Sequence, residues 1–208
     1  MVSEISTYKQ IIRYMDDFHR DLGRLIVLIE RLMEEQGYFA FSSAGNRASW
    51  GLSSHYESPQ RWRVPNLARL YAPDGEDAFD ETLAFFIALE SDTVFPFPAL
   101  LCARITHQPF AERDAYYKVW NTDQLQSLAQ ESGQWQVLGQ EDGWYVARPS
   151  GKYAVNELRG YFLNVFDLID RQHVIDNVLL PLTSSDMTLD ELLTISKYGF
   201  GGVEVSDK

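Results

Sequence analysis

Five residues between positions 47 and 63 combine charges and rings that suit the recognition of an anion: Arg47, Trp50, Arg61, Trp62 and Arg63. A guanidinium group binds phosphate or carboxylate through two parallel hydrogen bonds, and tryptophan faces stack on bases or on arginine. In an extended chain, Arg61 and Arg63 lie on one side and Trp62 on the other. These residues predict a binding site for an anionic small molecule or single-stranded nucleic acid.

The segment that carries these residues, positions 42–73, is rich in Ser, Gly, Asn and Pro, which is typical of irregular chain. It contains four arginines and one glutamate, a net charge of +3, whereas the whole chain carries −12. In an acidic protein, arginines can instead pair with the protein's own carboxylates, and Trp50 and Trp62 can anchor a long loop in the core. Both interpretations stay open, and we favour the structural one.

Nucleophilic catalysis would require a cysteine or serine beside a histidine that an acid orients. The one cysteine, Cys102, lies in an apolar run, where a thiol usually acts as a small buried hydrophobe. His107 follows five positions later, so in a strand it lies on the opposite face. The sequence has no nucleophile elbow, P-loop or dinucleotide-binding glycine motif. We predict no catalytic residue, and an enzyme would need a site assembled from residues distant in sequence.

Acidic and histidine side chains recur at helical spacing in two places, Asp167, Asp170 and His173 in one and Asp16 and His19 in the other. If two such helices lay side by side, these side chains could form a carboxylate–imidazole metal site in the groove between them. The same spacing is common on helix faces that water covers. We therefore predict no metal site and no cofactor.

The strongest structural pattern is an apolar repeat of 3.5 residues near the N-terminus, which predicts a long amphipathic helix over positions 4–36. Its members are Tyr8, Ile11, Met15, Phe18, Leu22, Leu25, Ile29 and Leu32. Gly37 follows the predicted end of the helix, as is common for helix C-termini. We favour a helix of the domain core, and a dimerising helix is the alternative.

The second half of this helix is apolar nearly all round, because Leu25–Ile29 is an uninterrupted apolar run. Such a helix is buried on more than one side. We expect it to contact a sheet and a C-terminal helix around Leu158–Ile169. The first half is more charged, so we expect it to stay exposed and available to another chain.

Several short runs rich in aromatic and apolar residues predict strands. Tyr38–Phe41 is a short strand before the irregular segment, and the four or five strands of the sheet region come from Thr82–Glu90, Ala99–His107, Tyr116–Trp120, Trp135–Leu138 and Trp144–Ala147. The last two flank Asp142-Gly143, a pair that favours the tight turn of a hairpin. A short helix is expected from about Asn121 to Leu128.

The C-terminal third predicts helices at positions 155–199. Leu158, Phe162, Val165 and Ile169 share one face of a helix from about Val155 to Val174. A buried connector, Val178–Leu182, follows. Thr188 and Glu191 then form a capping box, in which two side chains satisfy free N–H groups at a helix start. We expect this last helix to end at Gly199.

The order of these elements predicts an α+β fold, with the N-terminal and C-terminal helices packed on a mostly antiparallel sheet of four or five strands. We expect a single domain over residues 1–208, with the helix at 4–36, the irregular segment at 42–73, the sheet at 82–149 and the C-terminal helices at 155–199.

The net charge of −12 argues against general binding to nucleic acid or an anionic membrane, although the basic segment could contact nucleic acid locally. One cysteine cannot form an internal disulfide. The N-terminus lacks the basic and apolar regions of a signal peptide, and no apolar run approaches the roughly 20 residues of a membrane span. We predict a cytoplasmic location and no membrane partner.

These observations favour a non-catalytic interaction or accessory protein that binds a protein partner or forms a homodimer. Two alternatives stay open. The first is a binding module for an anionic small molecule or single-stranded nucleic acid, through the segment 47–71. The second is an enzyme whose site is not visible in the sequence.

Overall fold

The computed structural model describes residues 2–41, 66–74, 79–89, 95–110, 135–150, 155–184 and 188–198 of the 208-residue chain. The first element is helix α1, Val2–Glu35, which confirms the predicted long helix. The chain leaves the helix through Gly37, whose φ of +79° is a conformation that glycine adopts without strain. The Gly37 N–H donates to the Glu34 carbonyl at 3.0 Å and so satisfies one of the last helical acceptors.

Eight strands form one antiparallel sheet in the described part of the chain. They are β1 Tyr38–Phe41, β2 Asn66–Pro73, β3 Phe79–Ala88, β4 Ala99–Phe110, β5 Trp135–Glu141, β6 Trp144–Pro149, β7 Val155–Asn164 and β8 Lys197–Tyr198. The order across the sheet is β1-β2-β3-β4-β7-β6-β5, and β8 also pairs with β7. The α+β class and the antiparallel sheet are confirmed, whereas the expectation of four or five strands is wrong.

The predicted hairpin is confirmed as β5 and β6. Asp142 and Gly143 have φ values of 51° and 81°, and Glu141 pairs with Trp144 across them. Two central residues with positive φ give a turn whose twist matches that of the flanking strands. The strand predictions at Tyr38–Phe41, Thr82–Glu90 and Ala99–His107 are also confirmed, as β1, β3 and β4.

The predicted helix from Val155 to Val174 is wrong, because its first ten residues form β7. This strand lies between β4 and β6, and residues on both of its faces are buried, among them Tyr161 and Phe162. A strand buried on both faces carries a nearly continuous apolar run, which periodicity alone cannot distinguish from a buried helix.

Short helical elements follow β7. A 3₁₀ turn, Val165–Asp167, precedes α2 at Arg171–Val174, a π-helical turn at Ile175–Leu179, α3 at Leu180–Thr183 and α4 at Leu189–Leu192. The segment 171–183 is therefore helical throughout, and the predicted connector at Val178–Leu182 is wrong. Pro181 lies inside this run, and the Asn177 carbonyl four residues before it, which a proline cannot serve, accepts from the Tyr161 hydroxyl instead.

The capping box of the last helix is confirmed, with the Thr188 N–H donating to Glu191 Oε2 at 3.0 Å. The predicted end of that helix at Gly199 is wrong. The helix α4 ends at Leu192, and the chain then pairs with β7 as β8.

The irregular segment predicted at 42–73 is wrong at its C-terminal end, because residues 66–73 form β2 between β1 and β3. The alternation of Leu67, Arg69 and Tyr71 places these side chains on one face of that strand. The predicted strand Tyr116–Trp120 and the short helix at about Asn121–Leu128 lie outside the described residues.

The second half of α1 and the segment 171–183 cover one face of the sheet. The Tyr161 hydroxyl of β7 donates to the Asn177 carbonyl at 2.8 Å. Arg104 of β4 donates through Nη2 to the Leu182 carbonyl at 2.6 Å, which satisfies an acceptor at the end of α3. The expected contact of α1 with the sheet is confirmed by the ion pair of Glu30 with Arg69. The C-terminal chain that α1 meets is the helical segment 171–183 and the turn at 165–169, and no helix forms at Leu158–Ile169.

The opposite face of the sheet is also buried, including Phe86, Leu101 and Phe162. The link between β3 and β4 contributes to its cover, since the Phe95 ring lies 4.7 Å from that of Phe162. Phe97 continues the cluster with its ring 4.9 Å from that of Tyr198. None of the helices in the described ranges combines the length and apolar character needed to cross a bilayer.

Candidate functional site

A groove of about 540 Å³ runs between α1 and the chain that follows β7. Its apolar lining comes from both sides, with Leu22, Leu25 and Leu28 on α1 and Val165 and Leu168 opposite. We call it the α1 groove. The sheet positions both walls, because α1 lies against the sheet through its buried second half and Val165 follows directly after β7.

Three large side chains stand exposed along the α1 groove. Tyr14 is 68% exposed, Phe166 48% and Ile169 74%. The Phe166 ring lies 5.9 Å from that of Phe18 across the groove. Isolated exposed apolar residues are common on protein surfaces, but a contiguous set beside a cavity is typical of an interaction site.

The side chain of Asn164, the residue before the 3₁₀ turn, holds Phe166 in place through a hydrogen bond. Asn164 Oδ1 accepts from the Phe166 backbone N–H at 3.1 Å and caps the turn. The Val165 N–H also donates to the Pro98 carbonyl at 3.0 Å, which ties the turn to the link before β4. These contacts fix the backbone of the outer wall of the groove.

Ion pairs within α1 place charges along one rim of the groove. Arg20 binds Asp17 at 2.8 Å and Arg24 binds Asp21 at 2.9 Å, each within α1. These exposed pairs add little to stability, since solvent screens them. In the site, these ion pairs hold the carboxylates of Asp17 and Asp21 beside the apolar floor of the groove.

The far end of the groove is formed by the start of α2. Asp170 caps this helix by accepting from the His173 backbone N–H at 2.9 Å, and this hydrogen bond lowers the pKa of the Asp170 carboxyl. Arg171 binds Glu35 at 3.0 Å and links α2 to the end of α1. This ion pair joins the chain at 165–171, which forms the outer wall of the groove, to α1.

One further ion pair anchors α1 on the sheet, between Glu30 of α1 and Arg69 of β2. The Arg69 side chain is only 10% exposed. The buried side chains Ile29, Leu32 and Met33 lie around the same part of α1. This contact fixes the half of α1 that carries the inner wall of the groove.

The five predicted ligand-binding residues, Arg47, Trp50, Arg61, Trp62 and Arg63, lie outside the described residues, so their predicted role stays a prediction. Two other residues of the segment 42–73, Arg69 and Tyr71, lie in the part of the chain that the structure describes. Arg69 pairs with Glu30, and Tyr71 is buried with its ring 5.5 Å from that of Phe85. Burial raises the pKa of the Tyr71 hydroxyl. These two residues therefore have structural roles.

A threonine and a histidine meet inside the sheet in a geometry that resembles a nucleophile and its base. Thr82 Oγ1 lies 2.9 Å from His107 Nε2, and His107 Nδ1 lies 2.9 Å from the Gln108 carbonyl oxygen. The carbonyl can only accept, so Nδ1 carries the proton and Nε2 accepts from Thr82. Thr82 and His107 are 1% and 2% exposed, so a substrate cannot reach them.

The pair predicts a pH dependence of stability. Burial lowers the pKa of His107, while the Gln108 carbonyl and the charge of Asp80 act in the opposite direction. The unfolded chain then binds a proton below about pH 6.5 before the folded chain does, so stability is lost as pH falls below that value. The loss attributable to this histidine has a slope of at most about 1.4 kcal/mol per pH unit.

Urea unfolding of the wild type and of His107→Gln at several pH values between about 5 and 8 measures this slope. The variant is expected to lose less stability than the wild type between pH 7 and 5.5. Parallel pH curves for the two proteins would show that His107 does not titrate differently in the folded and unfolded states.

The single thiol has no nucleophilic character. Cys102 is buried beside Tyr161, and burial raises its pKa, so the reactive thiolate is disfavoured. Cys102 and His107 lie on opposite faces of the sheet, as the sequence predicts. Within the described residues, no group of three or more potential metal-ligating side chains comes together, and Asp170 serves as a helix cap.

Sequence reasoning did not find the α1 groove. Tyr14 lies beside the apolar repeat of α1. Ile169 was assigned to the apolar face of the helix predicted at Val155–Val174, a range that also contains Phe166 and that is in fact a strand followed by short helical turns. Asn164, a residue that favours caps and turns, was the local signal that could have placed the end of an element before Phe166.

Comparisons of the chain with protein-family models, with curated proteins and with solved structures found no match. A function for this fold has to be argued from the α1 groove itself.

Proposed function

We propose that this protein is a non-catalytic interaction or accessory protein that docks a helix of a protein partner in the α1 groove. The observation that carries the proposal is that the exposed side chains of Tyr14, Phe166 and Ile169 all line one groove, together with Leu22, Leu25 and Leu28. Burying such side chains against a partner is favourable by about 25 cal/mol per Å² of apolar surface removed from water.

The length of the groove suits a helix. The α1 residues that line it extend from Tyr14 to Leu28, which corresponds to roughly 21 Å of helix axis. A partner helix of about four turns has that length and a diameter of about 10 Å. Helices bind such grooves by placing side chains at positions i, i+3 or i+4, and i+7 into the apolar floor.

The chemistry of the lining supports binding more than catalysis. The charged residues that line the groove are the carboxylates Asp17, Asp21 and Asp170 and the guanidinium groups Arg24 and Arg171. Among its lining residues there is no histidine, cysteine or serine to act as a base or a nucleophile. A non-catalytic role is therefore the proposal.

Two other predictions from the sequence are kept as proposals. A cytoplasmic location agrees with a lone, reduced cysteine, which needs no oxidising compartment. Anion binding through Arg47, Trp50, Arg61, Trp62 and Arg63 is the alternative function, and the described residues neither support nor oppose it.

Photo-crosslinking tests the proposed docking site. The full chain is expressed in its native cell with benzoylphenylalanine in place of Phe166, and irradiated. We expect a discrete adduct whose yield falls about fivefold or more when Ile169→Glu is added, because a carboxylate opposes burial of that position. The mass of the adduct distinguishes a second copy of this chain from a different protein.

The matched control carries the same crosslinker at Leu138, an exposed apolar residue on β5 at the far edge of the sheet. This position is expected to give no discrete adduct. No adduct from position 166, or equal adducts from both positions, would contradict a docking role for the α1 groove.

A further inference from the structure

We infer that the helix that docks in the α1 groove is the first half of α1 from a second copy of this chain, residues 4–18, so that two copies exchange helices about a twofold axis. The inference rests on the proposed function and names the partner of the same site. Four features of α1 support it: the exposure of its first half, the apolar pattern of that half, its length and its low charge.

The first half of α1 is helical, although the described part of the chain covers little of it. From Thr7 to Asp21 its described side chains are exposed except that of Phe18, whereas the apolar repeat is buried from Leu22 onward. Met15, a member of the repeat, is 47% exposed. A helix of this length is marginal in water by itself and gains most of its stability by packing an amphipathic face. This half of α1 therefore needs a surface to pack against.

The sequence of this half has the pattern of a helix that packs along another helix. With Tyr8 at position a of a heptad, positions a, d, e and g up to Phe18 carry no charge: Tyr8, Ile11, Ile12, Tyr14, Met15 and Phe18. The charged residues of the same stretch occupy positions b, c and f, which lie away from the contact in paired helices. They are Lys9, Arg13, Asp16 and Asp17. Two copies of this face can therefore approach each other without like charges between them.

The first half of α1 also matches the α1 groove in length. Residues 4–18 span about 22 Å of helix axis, and the α1 residues that line the groove span roughly 21 Å, from Tyr14 to Leu28. If residues 4–18 of one copy run antiparallel along residues 14–28 of the other, the twofold axis passes near Asp16 and the same contact forms twice. One chain then supplies both the groove and the helix that fills it, which is the self-complementarity that a twofold dimer requires.

The charges at the contact do not oppose a second copy. Residues 2–18 contain three acidic and two basic residues, so this half of α1 carries only −1 of the net charge of −12. The α1 carboxylates beside the groove are paired within their own chain, Asp17 with Arg20 and Asp21 with Arg24. A nearly neutral helix therefore meets a nearly neutral rim. Repulsion between the other charges of the two chains is screened beyond about 8 Å at physiological salt.

Sedimentation equilibrium of the full chain, from about 1 to 100 µM, measures the association, and we expect a reversible dimer. Ile11→Glu adds a carboxylate to the apolar repeat of the docking helix, and Ile169→Glu adds one to the outer wall of the groove. Each is expected to weaken the dimer about tenfold or more, because the contact buries the added charge. Leu138→Glu, at an exposed residue of β5, is the matched control and should leave the dimer unchanged.

Mixing the two variants tests the exchange itself. In a pair of one Ile11→Glu chain and one Ile169→Glu chain, both substitutions fall in the same contact, and the other contact joins an unchanged helix to an unchanged groove. A contact that is already broken loses little more from a second substitution, so the mixed dimer should be about threefold tighter or more than either variant with itself. Native mass spectrometry with one variant isotopically labelled measures the fraction of mixed dimers.

Thermal unfolding checks that each variant keeps its fold, and Ile169→Ser replaces Ile169→Glu if the latter does not. Crosslinking gives a second, independent measurement on the unsubstituted groove. The adduct from benzoylphenylalanine at position 166 is expected to have twice the mass of the chain and to join that position to residues 4–18 of the second copy.

An adduct with a different protein would overturn the inference and leave the proposed docking function intact. A chain that stays monomeric over the whole concentration range, or mixed dimers no more abundant than random pairing gives, would also overturn it. Failure of the proposed function is separate, because it requires the absence of any discrete adduct from position 166.

Discussion

Gly160→Ala is expected to lower the free energy of unfolding by about 2 kcal/mol, within the range for overpacked interiors. A β-carbon at this position would lie 2.9 Å from the Cys102 carbonyl oxygen and 2.9 Å from the Ala103 β-carbon. Both contacts belong to β4, which pairs with β7 through nine registered residue pairs, among them Ala103 with Gly160. The oxygen is a backbone atom, so relief of the clash requires the two central strands to separate.

A glycine-to-alanine substitution at Gly23 is expected to have the opposite effect and to raise the free energy of unfolding. Gly23 lies within α1, and nothing is found within 4 Å of a β-carbon built on it. Alanine in a helix interior is favoured over glycine by about 0.5–1 kcal/mol, so Gly23→Ala should stabilise the protein.

Urea unfolding of the two variants at neutral pH measures both changes. Because each replaces glycine by alanine, effects on the unfolded chain are nearly matched. A Gly160→Ala variant as stable as Gly23→Ala would mean that the two strands do not approach each other as closely as described.

Gly160 was also the residue in the sequence that argued against the wrong helix prediction for β7. Leu158, Phe162 and Val165 recur at spacings of four and three, which is a helical pattern. In the fold, Leu158 and Phe162 lie on one face of a strand and Tyr161 on the other, all buried. A glycine inside a predicted helix is unfavourable by about 1 kcal/mol, and in a strand it marks a close approach of another backbone. That signal favoured the strand.

The elements that were predicted correctly are those that local chemistry determines. The 3.5-residue repeat and Gly37 define α1, Asp142-Gly143 defines the hairpin, and the capping box begins α4. Each signal lies within the element itself. The number of strands was underestimated because β2, β7 and β8 are recognised by what they pair with, which a single sequence does not contain.

The α1 groove could not be predicted for the same reason. Its walls come from residues such as Tyr14 and Ile169, which are far apart in the chain. They meet because α1 packs on the sheet and the chain at 165–171 follows β7, a strand of that sheet. The expectation that the first half of α1 stays exposed was correct for Tyr14 and Met15. The wall of the groove opposite α1 was missed, since residues 165–171 were assigned to the helix predicted at Val155–Val174.

Asn177→Ala is expected to have the largest effect on stability, a loss of about 3 kcal/mol. Asn177 is fully buried in the π-helical turn. Its Oδ1 accepts from the backbone N–H groups of Thr194 at 2.7 Å and Ile195 at 3.2 Å. Its Nδ2 donates to the His173 carbonyl at 3.0 Å and to Thr194 Oγ1 at 2.9 Å. Alanine would leave these part-buried partners without their hydrogen bonds, and each group that water does not reach costs about 1–3 kcal/mol.

Gln172→Ala is the matched control in the same helical segment. The Gln172 amide is exposed and donates one hydrogen bond, to Asp176 Oδ1 at 2.8 Å, so its loss should change stability by no more than about 0.5 kcal/mol. Urea unfolding of both variants gives the comparison.

Hydrogen exchange distinguishes the mechanism from a general loss of packing. In Asn177→Ala the amides of Thr194 and Ile195 lose their acceptor, so they should exchange much faster than those of β4, which keep their partners in the sheet. Equal acceleration at both places would show that the side chain acts only through global stability. Faster exchange at Thr194 and Ile195 alone would show that the side chain of Asn177 joins the helical segment beside the α1 groove to the chain that leads into β8.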